Sequence, residues 1–202
     1  RENIEITHIN DPFGDATGAA HLLEFDSVHG RWDKSISSDQ NKLSIEGHSI
    51  SFSQESDFTK VQWDETGIEL ILECSGKFKS PQTLNPYFDT LGMKRVVVAC
   101  PVKGEIQGED ALNIVYGINH DLYKPNKHRL ITAASCTTNC LAPVVKVVNQ
   151  AFGIKHGSIT TLHDLTNTQV IVDSFKPDLR RARSGSQSLI PTTTGSAKAI
   201  GM

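Results

Sequence analysis

The stretch Ala134-Ser135-Cys136-Thr137-Thr138-Asn139-Cys140 holds the residues best suited to covalent chemistry. It joins an apolar, strand-like run to a helix-like one, so the Cys136 thiol falls at a helix start. Unpaired amides at a helix N-terminus stabilise an anion and shift a cysteine there towards the thiolate, the form that attacks a carbonyl carbon. Ser135 is a suitable N-cap residue, which puts Cys136 in the first turn. The hydroxyl and amide groups of Thr137, Thr138 and Asn139 argue against burial of the sulfur as a small hydrophobe. Cys140 follows one turn on, on the same face. Two cysteines so spaced would also suit a metal half-site or a redox pair, but a second ligand pair at zinc spacing is absent and no metal is expected. Pro143 costs a regular helix interior about 3 kcal/mol and leaves the Asn139 carbonyl without its backbone partner, so the first turn is expected to be kinked or distinct.

A cysteine nucleophile needs a base. Of the 8 histidines, His163 has the best claim, because it stands at the end of the strand-like run Ile159-Thr160-Thr161-Leu162; most histidines serve structure instead. Further on, Thr192 to Thr194 and Gly195 form a run of small hydroxyl residues. Hydroxyls and backbone amides bind a phosphate anion without a full counter-charge.

The elements that must position these groups read as an α/β fold. Ile4 to Ile9 reads as a strand ended by Pro12 and Gly14, with Asp11 at its carboxyl end. Ala16 to Phe25 reads as a short helix, and Leu43, Ile45, Ile50 and Phe52 alternate about Glu46-Gly47-His48 as a hairpin. Three runs dense in branched apolar residues, Ile68 to Cys74, Val96 to Cys100 and Leu130 to Ala134, have the pattern of strands buried on both faces, and Asn113 to Ile118 is a fourth candidate. The helix-like Pro81 to Leu91 fits a crossover between two of them. A mostly parallel, doubly wound Rossmann-type sheet is therefore expected. Residues 141–152 continue the helical pattern to a capping Gly153, and Gly157 to Asp164 reads as a new strand. A boundary near Ser135 divides a partial dinucleotide-binding domain, 1–134, from the start of an α+β catalytic domain, 135–202.

In a dinucleotide-binding fold an acid at the end of the second strand binds the adenosine ribose, about 20 residues after a glycine-rich phosphate loop. Asp11 sits where that acid belongs, though Asp-Pro is also a common turn. Its charge would favour NAD over NADP. The sequence holds no GxGxxG, and the count puts that loop upstream of Arg1. Ser75-Gly76 and Cys100-Pro101 are further strand-end positions where a ligand can lie, or plain turns. A chain of 202 residues can bury a full core, and 38% hydrophobic with 21% charged residues is ordinary for a globular protein. A net charge of -3 gives no reason to expect nucleic acid or a membrane surface as partner. With no apolar run long enough to span a bilayer and with thiols expected to stay reduced, the cytoplasm is the expected setting.

Together these residues resemble the phosphorylating glyceraldehyde-3-phosphate dehydrogenases. The match includes Asn10-Asp11-Pro12-Phe13, Asp26-Ser27-Val28-His29-Gly30, Ser75-Gly76, Gly117-Ile118-Asn119-His120, SCTTNCLAP from Ser135 to Pro143, and Ile190 to Ala199. The resemblance implies Asn10, Asp11, Ser75 and Gly76 at an NAD site. It implies that Cys136 forms a thiohemiacetal and then a thioester, with His163 as base and oxyanion partner. Ser135, Thr137, Thr194 and Gly195 would hold inorganic phosphate, Thr166 and Thr168 the phosphate of glyceraldehyde 3-phosphate. It further implies a homotetramer, with Arg180, Arg181 and Arg183 on a subunit-contact loop. His8 to Pro12, His21-Leu22-Leu23, Val28 to Trp32 and His163-Asp164 look like the branch encoded beside arsenical-resistance transporters, where arsenate would replace phosphate. Ala133 stands where the family has Asn, and Ser174-Phe175 where many NAD-dependent members have Leu-Pro. The alternatives are erythrose 4-phosphate as substrate, a non-redox cysteine acyl-transferase or hydrolase, and a binding role. The chain on its own is expected to be inactive and poorly folded, through strand edges left unpaired.

Overall fold

The protein is described from a computed structural model, over residues 4–63, 67–102, 105–106 and 109–192. Its strands are β1 (His8–Asn10), β2 (Phe25–Asp26), β3 (Gly30–Arg31), β4 (Ile36–Asp39), β5 (Lys42–Ile45), β6 (His48–Ser53), β7 (Leu70–Glu73), β8 (Arg95–Val98), β9 (Glu105–Ile106), β10 (Glu109–Asp110), β11 (Leu112–Asn113) and β12 (Leu130–Thr132). The α-helices are α1 (Ala16–Glu24), α2 (Pro81–Asp89) and α3 (Cys136–Phe152).

Two four-stranded sheets organise the chain. The first has the order β1-β6-β5-β4, with β1 parallel to β6 and the rest antiparallel. Its hairpin is the one the alternation predicts. Glu46 (φ 52°) and Gly47 (φ 84°) both take positive φ, the conformation of a two-residue type I′ turn. Asp15 caps α1 by accepting the Gly18 amide at 2.7 Å, and α1 packs over β4 and β5.

The second sheet, β11-β12-β8-β7, is parallel throughout. Asn113, Thr132, Val98 and Glu73 stand in one row across it, so all four strands end along a common edge. In α/β sheets ligands gather at that carboxyl edge. Helix α2 makes the crossover from β7 to β8. It starts in a capping box of Ser80 and Thr83 with Pro81 at its first position. Leu84, Tyr87 and Phe88 on α2 join Ile71, Val96 and Val98 in the main core. Phe58 stacks on Tyr87 at 3.9 Å, and Trp63 donates to the Phe58 carbonyl at 2.9 Å. A smaller cluster of Val115, Ala134 and Ala142 seats α3 at the end of β12.

Three expectations are corrected. Strand β1 is confined to His8–Asn10; among the described residues, Thr7 alone of the preceding run makes a ladder contact, its carbonyl accepting from Ser51. Asn113 to Ile118 is a strand only at its first residue. Asn119 accepts the Val115 amide and donates to the Asn113 carbonyl, folding the segment into a turn with Gly117 at φ 82°. Gly157 to Asp164 forms no strand. Among the described residues no strand pairs with it and all of it is exposed, and a segment without a ladder partner is not a sheet strand. Helix α3 runs from Cys136 to Phe152 with Pro143 inside it.

Candidate active site

The site forms where β12 hands over to α3. Ser135 is the N-cap: its hydroxyl accepts the Thr138 amide at 3.1 Å and meets the Thr138 hydroxyl at 2.7 Å. Cys136 is therefore the first residue of the helix, exposed, at the positive end of the helix dipole. The turn before it is strained. Ala134 holds φ 55°, a left-handed conformation costing a non-glycine residue about 1–2 kcal/mol.

His163 meets this sulfur, with Sγ and Nε2 3.3 Å apart. Its Nδ1 lies 2.8 Å from the Asp164 carbonyl, which can only accept, so Nδ1 carries the proton and Nε2 faces the sulfur. The hydrogen bond to His163 is the main cause holding the Cys136 thiol below its ordinary range; Thr137 adds its amide and hydroxyl. The same bond, with the Asp164 carbonyl behind it, raises the imidazole above its usual value. The arrangement suits a thiolate–imidazolium pair, a nucleophile with its proton carrier in contact.

The anion-site candidates divide. Thr166 and Thr168 face each other, hydroxyl to hydroxyl at 3.2 Å, with Thr166 also donating to Gln169. Arg181 donates to Thr168 at 3.2 Å and to Thr192 at 3.0 Å, joining the two hydroxyl-bearing segments with a cation. Its role is not apparent from the run Leu179-Arg180-Arg181-Ala182-Arg183. Arg180 and Arg183 pair with Asp178 and Asp173, and Arg181 also approaches Asp178, at 3.9 Å. Thr194 and Gly195 lie outside the described residues. The hydroxyl of Ser135 is engaged in capping, and Thr137 serves the sulfur.

The cofactor-side candidates lie on the carboxyl edges of the two sheets. Asp11 is exposed. One carboxylate oxygen accepts the Phe13 amide at 2.9 Å, and among the described residues the other has no hydrogen-bond partner. The Asn10 side chain is spent within the protein, on Ser53 and on both backbone groups of Glu55. Ser75 likewise turns inward, its amide and hydroxyl donating to the buried Glu73 carboxylate, whose other oxygen takes the Tyr87 hydroxyl at 2.7 Å. Burial and this bond raise the Tyr87 hydroxyl well above its ordinary value. Gly76, at φ 65°, leaves bare backbone at the edge beside them. Glu73 is not among the sequence candidates, because an acid within the run Ile68 to Cys74 carries no local sign of its burial.

Comparison with known proteins bears on these groups together. Residues 1–81 match the family profile described as glyceraldehyde 3-phosphate dehydrogenase, NAD binding domain, and residues 135–202 match the C-terminal domain of the same family. The chain is 57% identical over 199 residues to glyceraldehyde-3-phosphate dehydrogenase 3 of Nostoc sp., covering 98% of this chain and 57% of that protein. It is 42% identical over 200 residues to glyceraldehyde-3-phosphate dehydrogenase of Geobacillus stearothermophilus, covering 99% and 58%. Against glyceraldehyde-3-phosphate dehydrogenase 2 of Schizosaccharomyces pombe the identity is 40% over 199 residues, covering 98% and 57%. The chain thus spans a little over half the length of these relatives.

Proposed function

This chain belongs to the glyceraldehyde 3-phosphate dehydrogenase family, and on that premise we propose that the protein carrying it oxidises glyceraldehyde 3-phosphate with NAD, through a thioester on Cys136. The observation that carries the proposal is the 3.3 Å contact between Cys136 Sγ and His163 Nε2 at the start of α3. The thiolate adds to the aldehyde carbon, and the imidazolium stabilises the oxygen that gains the negative charge. The imidazolium gives its Nε2 proton to that oxygen, completing the thiohemiacetal, and the neutral ring takes the proton back as hydride leaves the carbon and the thioester forms. When bound, NAD supplies the nicotinamide ring that accepts the hydride. An oxyanion of the phosphate class attacks the thioester carbon, the C–S bond breaks, and an acyl phosphate leaves with the thiolate restored. Phosphate and arsenate share shape and charge, so either fits this step.

The residues at the sheet edges fit NAD: Asp11 offers a carboxylate oxygen for the adenosine ribose, and the Gly76 turn offers open backbone. We assign Thr166, Thr168 and Arg181 to the substrate phosphate, and Thr137, Ser135, Thr194 and Gly195 to the attacking anion. Asn10 and Ser75 support the cofactor turns through their internal hydrogen bonds. We divide the chain at 134/135, place the activity in the cytoplasm on the strength of four free thiols, and expect a homotetramer. In the intact protein, NADH should form from glyceraldehyde 3-phosphate and NAD only when phosphate or arsenate is present, and more slowly from erythrose 4-phosphate. Cys136→Ser should abolish it. Turnover indifferent to both anions would reject the proposal.

A further inference from the structure

Cys136 is presented by a turn that L-residues resist, since buried Ala134 sits at φ 55° between the end of β12 and the helix cap. The carbonyls on either side of it, those of Ala133 and Ser135, accept from one and the same donor, the side-chain amide of Asn139, at 2.7 and 2.9 Å. The two amide hydrogens of Asn139 are thereby both used. Its backbone amide adds the ordinary helical bond to Ser135 at 2.9 Å. Asparagine is a poor helix former, so its place in the first turn of α3 is not explained by propensity. From below, the Ala134 amide rests on the Thr132 hydroxyl at 3.3 Å, which itself donates to Asn113.

We infer that Asn139 is a positioning residue: its amide clamps the carbonyls flanking Ala134, holds that residue left-handed, and so sets the direction from which the Cys136 sulfur meets His163. The inference rests on the reading of Cys136 as the attacking thiolate. Asn139 itself touches neither substrate nor sulfur in this role. Without the clamp the peptide units at Ala134 relax towards right-handed conformations, and the helix start carrying Cys136 turns with them.

Site-resolved alkylation of Cys136 by iodoacetamide across pH, in the intact protein, tests this without requiring dehydrogenase turnover, so its failure is distinguishable from failure of the proposed activity. Asn139→Ala should slow alkylation at neutral pH by about tenfold, the order expected when an oriented group is released, and move the midpoint of the pH profile upward. In turnover assays kcat should fall more than KM rises. Adding Ala134→Gly should restore the alkylation rate to within about twofold of Ala134→Gly alone, because glycine takes positive φ unaided. An Asn139→Ala protein with unchanged rate and midpoint overturns the inference, as does a loss that Ala134→Gly fails to repair. If Asn139→Ala alone does not fold, the double variant decides: folded with near wild-type alkylation it supports the clamp, and unfolded or slow it refutes it.

Discussion

Cys136 and His163 form a pair whose titrations belong to both. The thiol is lowered and the imidazole raised, each chiefly by the bond to the other. Both shifts favour coexistence of thiolate and imidazolium. As pH falls through the thiol titration the sulfur is protonated, and as pH rises through the imidazole titration the imidazolium is lost. Alkylation of Cys136 should show a thiolate midpoint below that of an ordinary cysteine, and His163→Asn should move that midpoint up. A midpoint unmoved by His163→Asn would remove His163 from the pair. The sequence marked both residues through position alone, a helix start and the end of an apolar run. It did not reveal Asn139, whose role depends on the φ of Ala134, or Arg181, which folds back on threonines 13 and 11 positions away. Such contacts have no local pattern.

At the scale of elements, local chemistry predicted what local chemistry determines. The Glu46-Gly47 turn, the crossover helix and the Ser135 cap are all set by a few adjacent residues. Gly157 to Asp164 misled because its β-branched residues favour a strand but say nothing of a partner to pair with. The loop after β7 shows a further dependence. Its shape rests on the Glu73 carboxylate, which is buried and takes hydrogen bonds from Ser75 and Tyr87. Tyr87→Phe leaves one buried carboxylate oxygen without its donor, at a cost of about 1–3 kcal/mol, to be read as a lower urea midpoint. Since Ser75 and Gly76 border the expected cofactor edge, NAD affinity should weaken with it. An unchanged midpoint would mean that this bond contributes nothing net.

For the whole molecule, the α/β class was legible because the buried parallel strands Ile71, Val96, Val98 and Leu130 come from unbroken apolar runs. The split into two sheets was not, as sheet membership is decided by pairings far apart in sequence, such as His8 with Ser51. Stability centres on the core between α2 and the second sheet. Leu84 there is fully buried, and Leu84→Ala should cost about 2–5 kcal/mol, measurable by denaturant unfolding of the intact protein. A change under about 1 kcal/mol would mean that the core closes around the lost volume.

Among the described residues the stretch ending at His163 has no ladder to hold it, and the bond from His163 to Cys136 ties it to the helix start. In the proposed reaction the imidazole is at once a proton carrier and a mooring. Whenever the sulfur carried an acyl group there, it would no longer share a proton with that ring, and the mooring would be cast off. Each catalytic cycle would then loosen and retie the segment, so that the chemical state of one sulfur atom is also written into the backbone beside it.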